Sequence, residues 1–395
     1  MNYDGFRGSP HLMPDLTTAL FTLVALLLAV HLLSAVLTVW RAWRPKRLVP
    51  AGRMSQPVTL LRPVCGLDPN DEATLGSTFN LDPHPNLEIV FCAARESDPV
   101  VPLVRRLIAN NRHVNARLLI GDERPTPNPK LNNLVKGWHG TRSEWVIMAD
   151  SNVLLPRDYV SQLLAAYRSD TGLVCSPPVG SAPQGMAAEI ECAFLNTYQG
   201  RFQVAADTLG FGFAQGKTMF WRRDLLDDAG SIEALGRDAA EDAAATKIVR
   251  REGKRVRLVD RPYPQPLGHR RLREVWQRQV RWSRLRRATF PVCYAPEILA
   301  GGLLPMTCAG LIAADFDIAP AAAVVGLGII WYGTEIAVAR LAGWHLSAWS
   351  PVAFILRDLM LPAVWVEGWT GNGFTWRGNE MNATLTISEA RQPNG

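Results

Sequence analysis

A short apolar run of the sequence stops at a carboxylate, and two further oxygen-bearing side chains follow it. Residues 145–148, Trp-Val-Ile-Met, have the length and the β-branched and aromatic content of a buried strand, which predicts Asp150 at its carboxyl end. Open α/β sheets bind their ligands at that edge. Followed by Ser151 and Asn152, this carboxylate suits a hard divalent cation that holds a diphosphate, although the same residue types also cap helices.

A second carboxylate, Asp98, follows the candidate strand at residues 87–92. Because the carboxyl ends of parallel strands meet at one edge of a sheet, we expect Asp98 near the base or ribose of a nucleotide and Asp150 near its phosphates. The alternative is that Asp98 is a turn residue before Pro99.

An acidic pair, Glu241 and Asp242, precedes a helix-compatible run at residues 243–252. The helix dipole favours acidic residues in a first turn whatever their function, so a structural role alone explains the pair. A carboxylate of this kind could also act as a general base toward a sugar or lipid hydroxyl.

The segment 269–287 carries eight arginines, with apolar residues at spacings close to a helical stripe. This pattern predicts an amphipathic helix that lies in a membrane interface, with a solvated amphipathic helix as the alternative. Within it, Arg278 and Arg281 offer guanidinium groups able to grip a diphosphate, and Trp282 offers an indole able to pack on a sugar or a lipid.

Strand-like and helix-like pieces alternate through the middle of the chain, which predicts a mostly parallel α/β sheet covered on both faces. The ligand expected at the switch point of such a sheet is a nucleotide. The predicted strands are 58–61, 87–92, 116–120, 145–148 and 172–175, and the predicted helices are 72–80, 100–110, 130–138 and 156–168.

Two phosphate-binding motifs fail on their spacing. Gly216-Lys217-Thr218 resembles the end of a P-loop, but Phe211 stands where the first glycine is required. Gly210 and Gly212 form only a fragment of a dinucleotide fingerprint, without a clear strand before them. A nucleoside triphosphatase and a dehydrogenase are therefore disfavoured.

The stretch from Thr17 to Trp40 contains no Asp, Glu, Lys or Arg, and its 24 residues exceed the roughly 20 that a helix needs to span a bilayer. An uncleaved anchor is preferred to a signal peptide, because no basic leader precedes it and no small-residue cleavage site follows. Basic residues at positions 41, 44, 46 and 47 predict that the chain from Arg41 onward is cytoplasmic. Three later apolar stretches, 298–314, 318–339 and 349–369, bring the predicted spans to about four.

The composition of the 395 residues narrows the classes of partner. The net charge is +6 and the pI is near 9.1, but many basic residues gather beside the apolar segments, which favours an anionic membrane surface over nucleic acid. The six cysteines show no Cys-x-x-Cys pair and no histidine at zinc spacing, which disfavours structural zinc and a disulfide framework.

Taken together, these motifs resemble the D, D, D, (Q/R)xxRW signature of membrane-bound inverting glycosyltransferases with a GT-A fold, and most closely ceramide glucosyltransferases. The signature residues are Asp98, Asp150, Asp242, Arg278, Arg281 and Trp282. Further similar segments are 61–63, 66–70, the Asn-Pro-Lys-Leu-Asn-Asn-Leu run at 128–134, and 240–242. The resemblance is colinear over about residues 57–290, and its motifs are specific as a set rather than singly.

The resemblance implies a UDP-sugar donor, most readily UDP-glucose, bound by Asp98 and Asp150, with Asp150 acting through Mg²⁺ or Mn²⁺. It implies Asp242 as the general base that deprotonates the primary hydroxyl of ceramide, with inversion at the anomeric carbon. Lys130, Arg278 and Arg281 would offset charge on the departing diphosphate.

Two residues are assigned to the acceptor and sugar pocket. Trp282 would shape its acceptor end. Gln199 stands where the eukaryotic members have a histidine, which leaves the identity of the sugar and of the lipid open. A hopanoid or polyprenyl-phosphate glycosyltransferase, a processive polysaccharide synthase and a non-catalytic membrane scaffold or transporter are the alternatives.

The expected fold is an α/β, Rossmann-like GT-A domain with transmembrane helices at both ends. The expected protein is integral to a membrane, a bacterial inner membrane in this interpretation, with a cytoplasmic catalytic domain and no nucleic-acid partner. The predicted divisions are an N-terminal tail 1–16, an anchor 17–40, a basic linker 41–56, the catalytic domain 57–268, an amphipathic segment 269–295, a C-terminal membrane region 296–370 and a tail 371–395.

Overall fold

The computed structural model of the protein describes residues 14–45, 47–50, 52–376 and 379–383. Its centre is a sheet of seven strands in the order β3-β2-β1-β4-β7-β5-β8. The neighbouring strands run parallel except at β7, which is antiparallel to both β4 and β5. In chain order the strands are β1 Val58–Pro63, β2 Leu87–Ala93, β3 Ala116–Ile120, β4 Trp145–Ala149, β5 Thr171–Cys175, β6 Val179–Gln184, β7 Thr218–Arg222, β8 Arg255–Leu258, β9 Pro264–His269, β10 Gly373–Trp376 and β11 Asn379–Asn382.

Helices cover both faces of this sheet and also form the membrane-side part of the molecule. The α-helices are α1 Pro14–Ala42, α2 Asp71–Gly76, α3 Val101–Asn110, α4 Pro129–His139, α5 Tyr159–Ala166, α6 Met186–Ala193, α7 Arg201–Thr208, α8 Arg223–Asp228, α9 Glu241–Arg251, α10 Leu272–Thr289, α11 Pro291–Tyr294, α12 Leu303–Ile312, α13 Pro320–Leu341 and α14 Ser350–Trp369. A π-helix, Phe194–Gly200, joins α6 to α7.

The alternation of side chains along the central strands divides the core in two. On one face, Leu60 and Ile147 pack with residues of α3 and α5. On the other face, Leu61 and Met148 pack with residues of α4 and α9. All five residues of β4 are buried, because both faces of a mostly parallel sheet are covered.

The predicted α/β class is confirmed. All five predicted strands are present within two residues of their expected ends. The helix predicted at 156–168 is shorter than expected, since α5 comprises only Tyr159–Ala166 and Tyr167 is already extended. The strand β7, which the alternating pattern did not predict, enters between β4 and β5.

The segment 186–208 crosses from the catalytic domain to the membrane-side helices. Strands β6 and β9 form a separate two-stranded parallel sheet that contacts α6. Beyond α6, the π-helix and α7 contact α13 and α1, respectively. The chain therefore connects the sheet to the membrane region through one continuous helical segment.

Among the residues that the structure describes, two helices, α1 and α13, are long and apolar enough to cross a membrane, and a bent pair, Pro291–Ala300 with Leu303–Phe316, brings the number to as many as three. The expected total of about four is wrong, because Arg357, Asp358 and Glu367 interrupt α14. That helix instead packs along α10 and α6.

The ends of these helices are matched by direct contacts. Thr17 donates a hydrogen bond to Asp315 at 2.5 Å near the start of α1. At its other end, the indole of Trp43 donates to the carbonyl of Leu341 at 2.9 Å. Taken as three transits, α1, the bent pair and α13 return the chain to the side of the catalytic domain before α14 begins.

Two further segments at the ends of the predicted divisions form regular structure. The amphipathic helix α10 buries Val275 and Val280 and contacts α6 and α14. Residues of the predicted tail 371–395 form an antiparallel hairpin, β10 with β11. Residues 1–13 of the predicted N-terminal tail, Lys46, and the polar end of the chain from residue 384 lie outside the described residues.

Candidate active site

Asp150 lies immediately after β4, at the carboxyl edge of the sheet, as predicted. The turn that carries it is held by the buried guanidinium of Arg62, whose Nη2 donates to the carbonyls of Asp150, Ser151 and Val153 at 2.8–3.0 Å. These bonds fix the backbone and leave the carboxylate of Asp150 available to other groups. It is partly exposed, and two ammonium groups contact it.

The first ammonium group belongs to Lys130, in the first turn of α4. Asn128 caps this helix by accepting from the backbone N–H groups of Lys130 and Leu131. The Nζ atom of Lys130 lies 2.6 Å from Asp150 Oδ1 and 2.7 Å from Glu241 Oε1, and it donates to the carbonyl of Gly216 at 2.6 Å. Glu241 and Gly216 accept hydrogen bonds from this ammonium group, and Asp150 Oδ1 forms a close ion pair with it that lacks hydrogen-bond geometry.

The second ammonium group belongs to Lys217, which directly precedes β7. Because β7 runs antiparallel to β4 with Thr218 opposite Ala149, Lys217 must lie beside Asp150. Its Nζ atom donates to Asp150 Oδ2 at 2.9 Å and to Asn152 Oδ1 at 3.1 Å. One carboxylate thus bridges two lysines that arrive from different elements.

Two opposing effects set the pKa values in this cluster: burial, which disfavours each charged form, and ion pairing, which favours it. Burial acts to raise the pKa of Asp150, but the two lysines outweigh it and hold the pKa at about 2. Burial acts to lower the pKa of Lys130, and its two carboxylate partners outweigh that effect and raise it. Burial lowers the pKa of Lys217, with Asp150 acting against burial and the nearby Arg278 adding to it. At neutral pH Asp150 and Lys130 therefore carry their charges.

Asp242 lies in the first turn of α9, next to Glu241. Burial, with the Glu241 carboxylate as the second cause, raises the pKa of Asp242 to about 7, although Lys130 and backbone N–H groups act in the opposite direction. A carboxyl group with this pKa can both take up and release a proton near neutral pH. This is the property expected of a general base.

Asp98 lies at the same edge of the sheet, in the loop between β2 and α3. Its carboxylate accepts hydrogen bonds from the backbone N–H of Gly66 at 2.9 and 3.2 Å and from that of Val100 at 3.0 Å. Asp98 therefore ties the loop after β1 to the start of α3, across β1 from Asp150.

Arg278, Arg281 and Trp282 lie on α10. Arg278 pairs with the buried carboxylate of Glu191 on α6, and the guanidinium of Arg278 lies 6.0 Å from the centre of the Trp282 ring. Trp282 packs on a small apolar cluster formed by α6, the π-helix and β9. Arg281, also partly buried, lies one turn along the same helix.

Gln199 lies in the π-helix and donates through Nε2 to Gln279 Oε1 on α10 at 2.9 Å. The Nε2 atom of Gln279 is buried without a hydrogen-bond partner. Single π-helical insertions recur at functional sites because they redirect side chains. Here the insertion joins the α10 motif to the segment that leads to the membrane-side helices.

A protein-family model described as glycosyl transferase family 21 matches residues 23–386 of the chain. The chain belongs to glycosyl transferase family 21. The match extends over the catalytic domain and over the helices on both sides of it, so the family assignment applies to the molecule as a whole.

Curated relatives confirm the resemblance to ceramide glucosyltransferases. Ceramide glucosyltransferase 1 of Caenorhabditis elegans is 24% identical over 342 residues, which cover 85% of this chain and 68% of the relative. Ceramide glucosyltransferase 3 of the same organism is 24% identical over 333 residues, covering 82% and 72%. The ceramide glucosyltransferase of Komagataella phaffii is 28% identical over 301 residues, covering 61% and 59%.

Among solved structures, the mannosyltransferase PcManGT from Pyrobaculum calidifontis, in complex with GDP-Man and Mn²⁺, superposes with a TM-score of 0.51 at 20% identity. The match covers 86% of this chain and 99% of the mannosyltransferase. The likeness confirms the GT-A fold. The protein is therefore a sugar-transferring enzyme of family 21.

The structure brings only some of the predicted site residues of this family 21 enzyme close together. Asp150, Lys130 and Asp242 interact within one cluster, and Arg278 is close enough to contribute to lowering the pKa of Lys217, after burial. Asp98 lies on the far side of β1, and Gln199 contacts α10 through Gln279, the residue after Arg278.

Sequence reasoning missed three participants. Lys217 belongs only to the failed phosphate motif in the sequence patterns, Arg62 only to a segment similar to the family, and Glu191 to none. Glu191 is a buried acidic residue in an apolar helix, which was an available signal. No local signal identified Lys217, because its position depends on the pairing of β7 with β4.

The family 21 site fits a divalent cation that takes most of its ligands from a donor. Within the described ranges, no group of three or more His, Cys, Asp and Glu residues could hold a metal by itself. Asp150 and Asn152, however, direct two oxygen atoms at one cation, the ammonium of Lys217. Mg²⁺ and similar ions are commonly held by one or two protein oxygens plus substrate phosphates.

Proposed function

We propose that this family 21 enzyme transfers glucose from UDP-glucose to the primary hydroxyl of ceramide, with inversion at the anomeric carbon. The observation that supports this proposal best is the Asp242 carboxyl group, whose pKa is raised to about 7. Asp242 interacts with Lys130, which also pairs with Asp150 at the carboxyl edge of the sheet. The curated relatives named above support the choice of sugar and lipid.

The donor would lie along the carboxyl edge of the sheet. Its nucleoside would lie near Asp98 and its diphosphate near Asp150, Lys217 and Arg278. A divalent cation, Mg²⁺ or Mn²⁺, held by Asp150 and Asn152, would supply positive charge to the diphosphate. Arg278 and Arg281 carry guanidinium groups that can form paired hydrogen bonds to phosphate oxygens.

The transfer step needs one proton removed and one leaving group stabilised. Asp242 would accept the proton of the lipid hydroxyl as the oxygen attacks the anomeric carbon from the face opposite the diphosphate. The bond to the diphosphate breaks, and UDP leaves with the electron pair. Lys130 and Arg278 would lower the energy of that departing charge, which is the largest electrostatic demand of the reaction.

The acceptor would approach from the membrane-side helices. Trp282 and Gln199 lie on the elements that join the catalytic domain to those helices, α10 and the π-helix. This arrangement suits a lipid whose head reaches Asp242 while its chains stay among apolar helices. By the positive-inside pattern, we place the catalytic domain on the cytoplasmic side of a bacterial inner membrane.

A second acceptor, a hopanoid or another lipid alcohol, is favoured by one observation. Gln199 donates to Gln279 of α10, and the resemblance to ceramide glucosyltransferases implies a histidine at this position in the eukaryotic members, so we expect the pocket near the sugar and the lipid to differ from theirs. The base and the donor cluster would serve either acceptor equally. A processive synthase is disfavoured, because up to three spans among the described residues form too small a bundle for a channel.

The experiment that tests the proposal is a UDP-release assay on the detergent-solubilised enzyme. UDP-glucose, UDP-galactose and UDP-N-acetylglucosamine are each paired with ceramide, a hopanoid and diacylglycerol. We expect release that depends on ceramide and is fastest with UDP-glucose. Release with a different lipid would replace the acceptor and keep the mechanism, whereas no release with any pair would refute the proposed reaction.

A further inference from the structure

Asp150 and Asn152 form a small site for a cation, and a lysine of the chain occupies it. Asp150 Oδ2 and Asn152 Oδ1 both accept from the Nζ atom of Lys217, at 2.9 and 3.1 Å. A carboxylate and a carboxamide oxygen are ligands that hard divalent cations prefer. The same two atoms cannot bind a metal ion and keep the ammonium group between them.

The two lysines of Asp150 are held differently. Lys130 donates hydrogen bonds to Glu241 and to the carbonyl of Gly216, neither of which lies on the turn after β4, and it forms an ion pair with Asp150. Lys217 donates to Asp150 and Asn152, both on the turn after β4. Lys130 is therefore anchored outside that turn, whereas both hydrogen bonds of Lys217 are made to the cation site itself.

The surroundings of Lys217 also favour its departure. Its side chain is 18% exposed, so solvent reaches part of it. A lysine carries its charge on a flexible four-carbon stem and can therefore reach a neighbouring anion.

We propose that Lys217 is an exchangeable internal cation, which occupies the Asp150–Asn152 site in the free enzyme and moves to the donor diphosphate when a divalent cation enters. The inference rests on the proposed function, since it concerns how the donor site of that reaction is assembled. Lys130 stays on Asp150 and Glu241 throughout.

The exchange has a measurable consequence for the free enzyme. Without a nucleotide, the divalent cation must displace the ammonium group of Lys217 while no phosphate is present to bind that group. The affinity of the site for the cation is therefore low. With UDP bound, Lys217 gains a phosphate partner, and the affinity for the cation rises. Lys217 thereby couples metal binding to nucleotide binding.

The test is a titration of Mn²⁺ into the full-length, detergent-solubilised enzyme, followed by the electron paramagnetic resonance signal of free Mn²⁺, with and without UDP. In the wild type we expect weak binding that UDP strengthens. In Lys217→Met, binding without UDP should be at least about tenfold tighter, since one unit charge within ~4 Å of the ion is removed. The strengthening by UDP should shrink by a similar factor.

Two control variants distinguish the loss of positive charge at the Asp150–Asn152 site from nonspecific effects of a substitution. Lys247→Met removes one positive charge from α9, where Lys247 pairs with Asp238 and not with Asp150, and should bind Mn²⁺ as the wild type does. Lys217→Arg keeps the charge at the site and should leave binding without UDP weak. If Lys217→Met fails to fold by circular dichroism, Lys217→Gln takes its place with the same expectation.

The outcomes distinguish this inference from the proposed function. Unchanged Mn²⁺ affinity in both neutral Lys217 variants, with normal UDP-strengthened binding, would overturn the exchange and leave the proposed reaction intact. If the wild type binds no Mn²⁺ even with UDP, the metal role in the proposed function fails and the exchange fails with it. Tight Mn²⁺ binding by the wild type without UDP would also overturn the exchange.

Discussion

The protein contains two clusters of buried charge that differ in how completely their hydrogen bonds are used. The edge cluster consists of Asp150, Lys130, Lys217 and Glu241 at the sheet. The membrane-side cluster consists of Glu335, Arg357, Asp358, Thr197 and Tyr332. Side chains of the edge cluster are 10–19% exposed, whereas Glu335 and Arg357 are 1% exposed.

The membrane-side cluster is closed on itself. Arg357 binds both carboxylate oxygens of Glu335 at 2.9 Å and Asp358 at 2.8 Å, and it donates to the hydroxyl of Thr197 at 3.0 Å. Tyr332 and the backbone N–H of Gly302 donate to the other oxygen of Asp358, at 3.2 and 2.7 Å. The cluster joins α13 and α14 to the π-helix.

The comparison separates two roles for buried charges, ligand binding and stabilisation of the fold. A cluster whose donors and acceptors are all paired can hold secondary-structure elements together, but it offers a ligand no free hydrogen-bonding group. The edge cluster keeps an unused N–H bond on Lys217, and its side chains are partly exposed, so an incoming diphosphate can bind there. Both clusters pair acidic with basic side chains, and they differ in exposure and in the number of N–H bonds that remain unused.

The largest expected effect tests whether the edge cluster belongs to the catalytic site, by removing the base that lies next to it. Asp242→Asn should lower kcat by roughly 10²–10⁴-fold, the usual contribution of general base catalysis, because an amide cannot accept the proton. UDP-glucose binding, measured by isothermal titration calorimetry, should stay close to that of the wild type. Asp228→Asn, an exposed carboxyl on α8, serves as the control. A loss of donor binding in Asp242→Asn would contradict the role assigned to Asp242.

The second variant removes the arginine of the membrane-side cluster. Arg357→Met leaves the buried Glu335 and Asp358 without their cation, and breaking such a pair typically costs about 3–5 kcal/mol of stability. We expect a large drop in the thermal midpoint in detergent, with the remaining folded enzyme still able to bind UDP.

Arg340→Met provides a control for that variant, because Arg340 is exposed at the end of α13. Its thermal midpoint should match that of the wild type. An Arg357→Met enzyme with an unchanged midpoint but no activity would show that the membrane-side cluster acts in the reaction and not in support.

The smallest expected effect concerns pH. The pKa of Asp242 is raised to about 7, and the base acts in its deprotonated form, so kcat/KM should rise as the pH increases through about 7 and then level off. Glu241 is the second cause of that shift, so Glu241→Gln should move the rise to lower pH. A rate that is constant from about pH 6 to 8 would count against Asp242 as the base.

Particular residues show how far the sequence alone could lead. Asp150 and Asp242 stand at the end of a buried strand and at the start of a helix, and such patterns depend on neighbouring residues only. The role of Asp242 as a base comes from the resemblance to ceramide glucosyltransferases, because its position alone fits a structural role equally well. The third apolar stretch was taken for a span because its length and apolar content resemble one. Its charges at 357, 358 and 367 find partners only in the folded protein.

The sequence by itself determined the apolar anchor, the alternation of strands and helices, and the carboxylates at the ends of those elements, since each of these depends on short-range periodicity. The tertiary structure alone decided which charges meet. Lys217 reaches Asp150 through the antiparallel register of β7, 67 positions along the chain, and Arg357 reaches Glu335 through the packing of two helices. Such pairings depend on how distant elements are placed in space, which no local pattern of residues encodes.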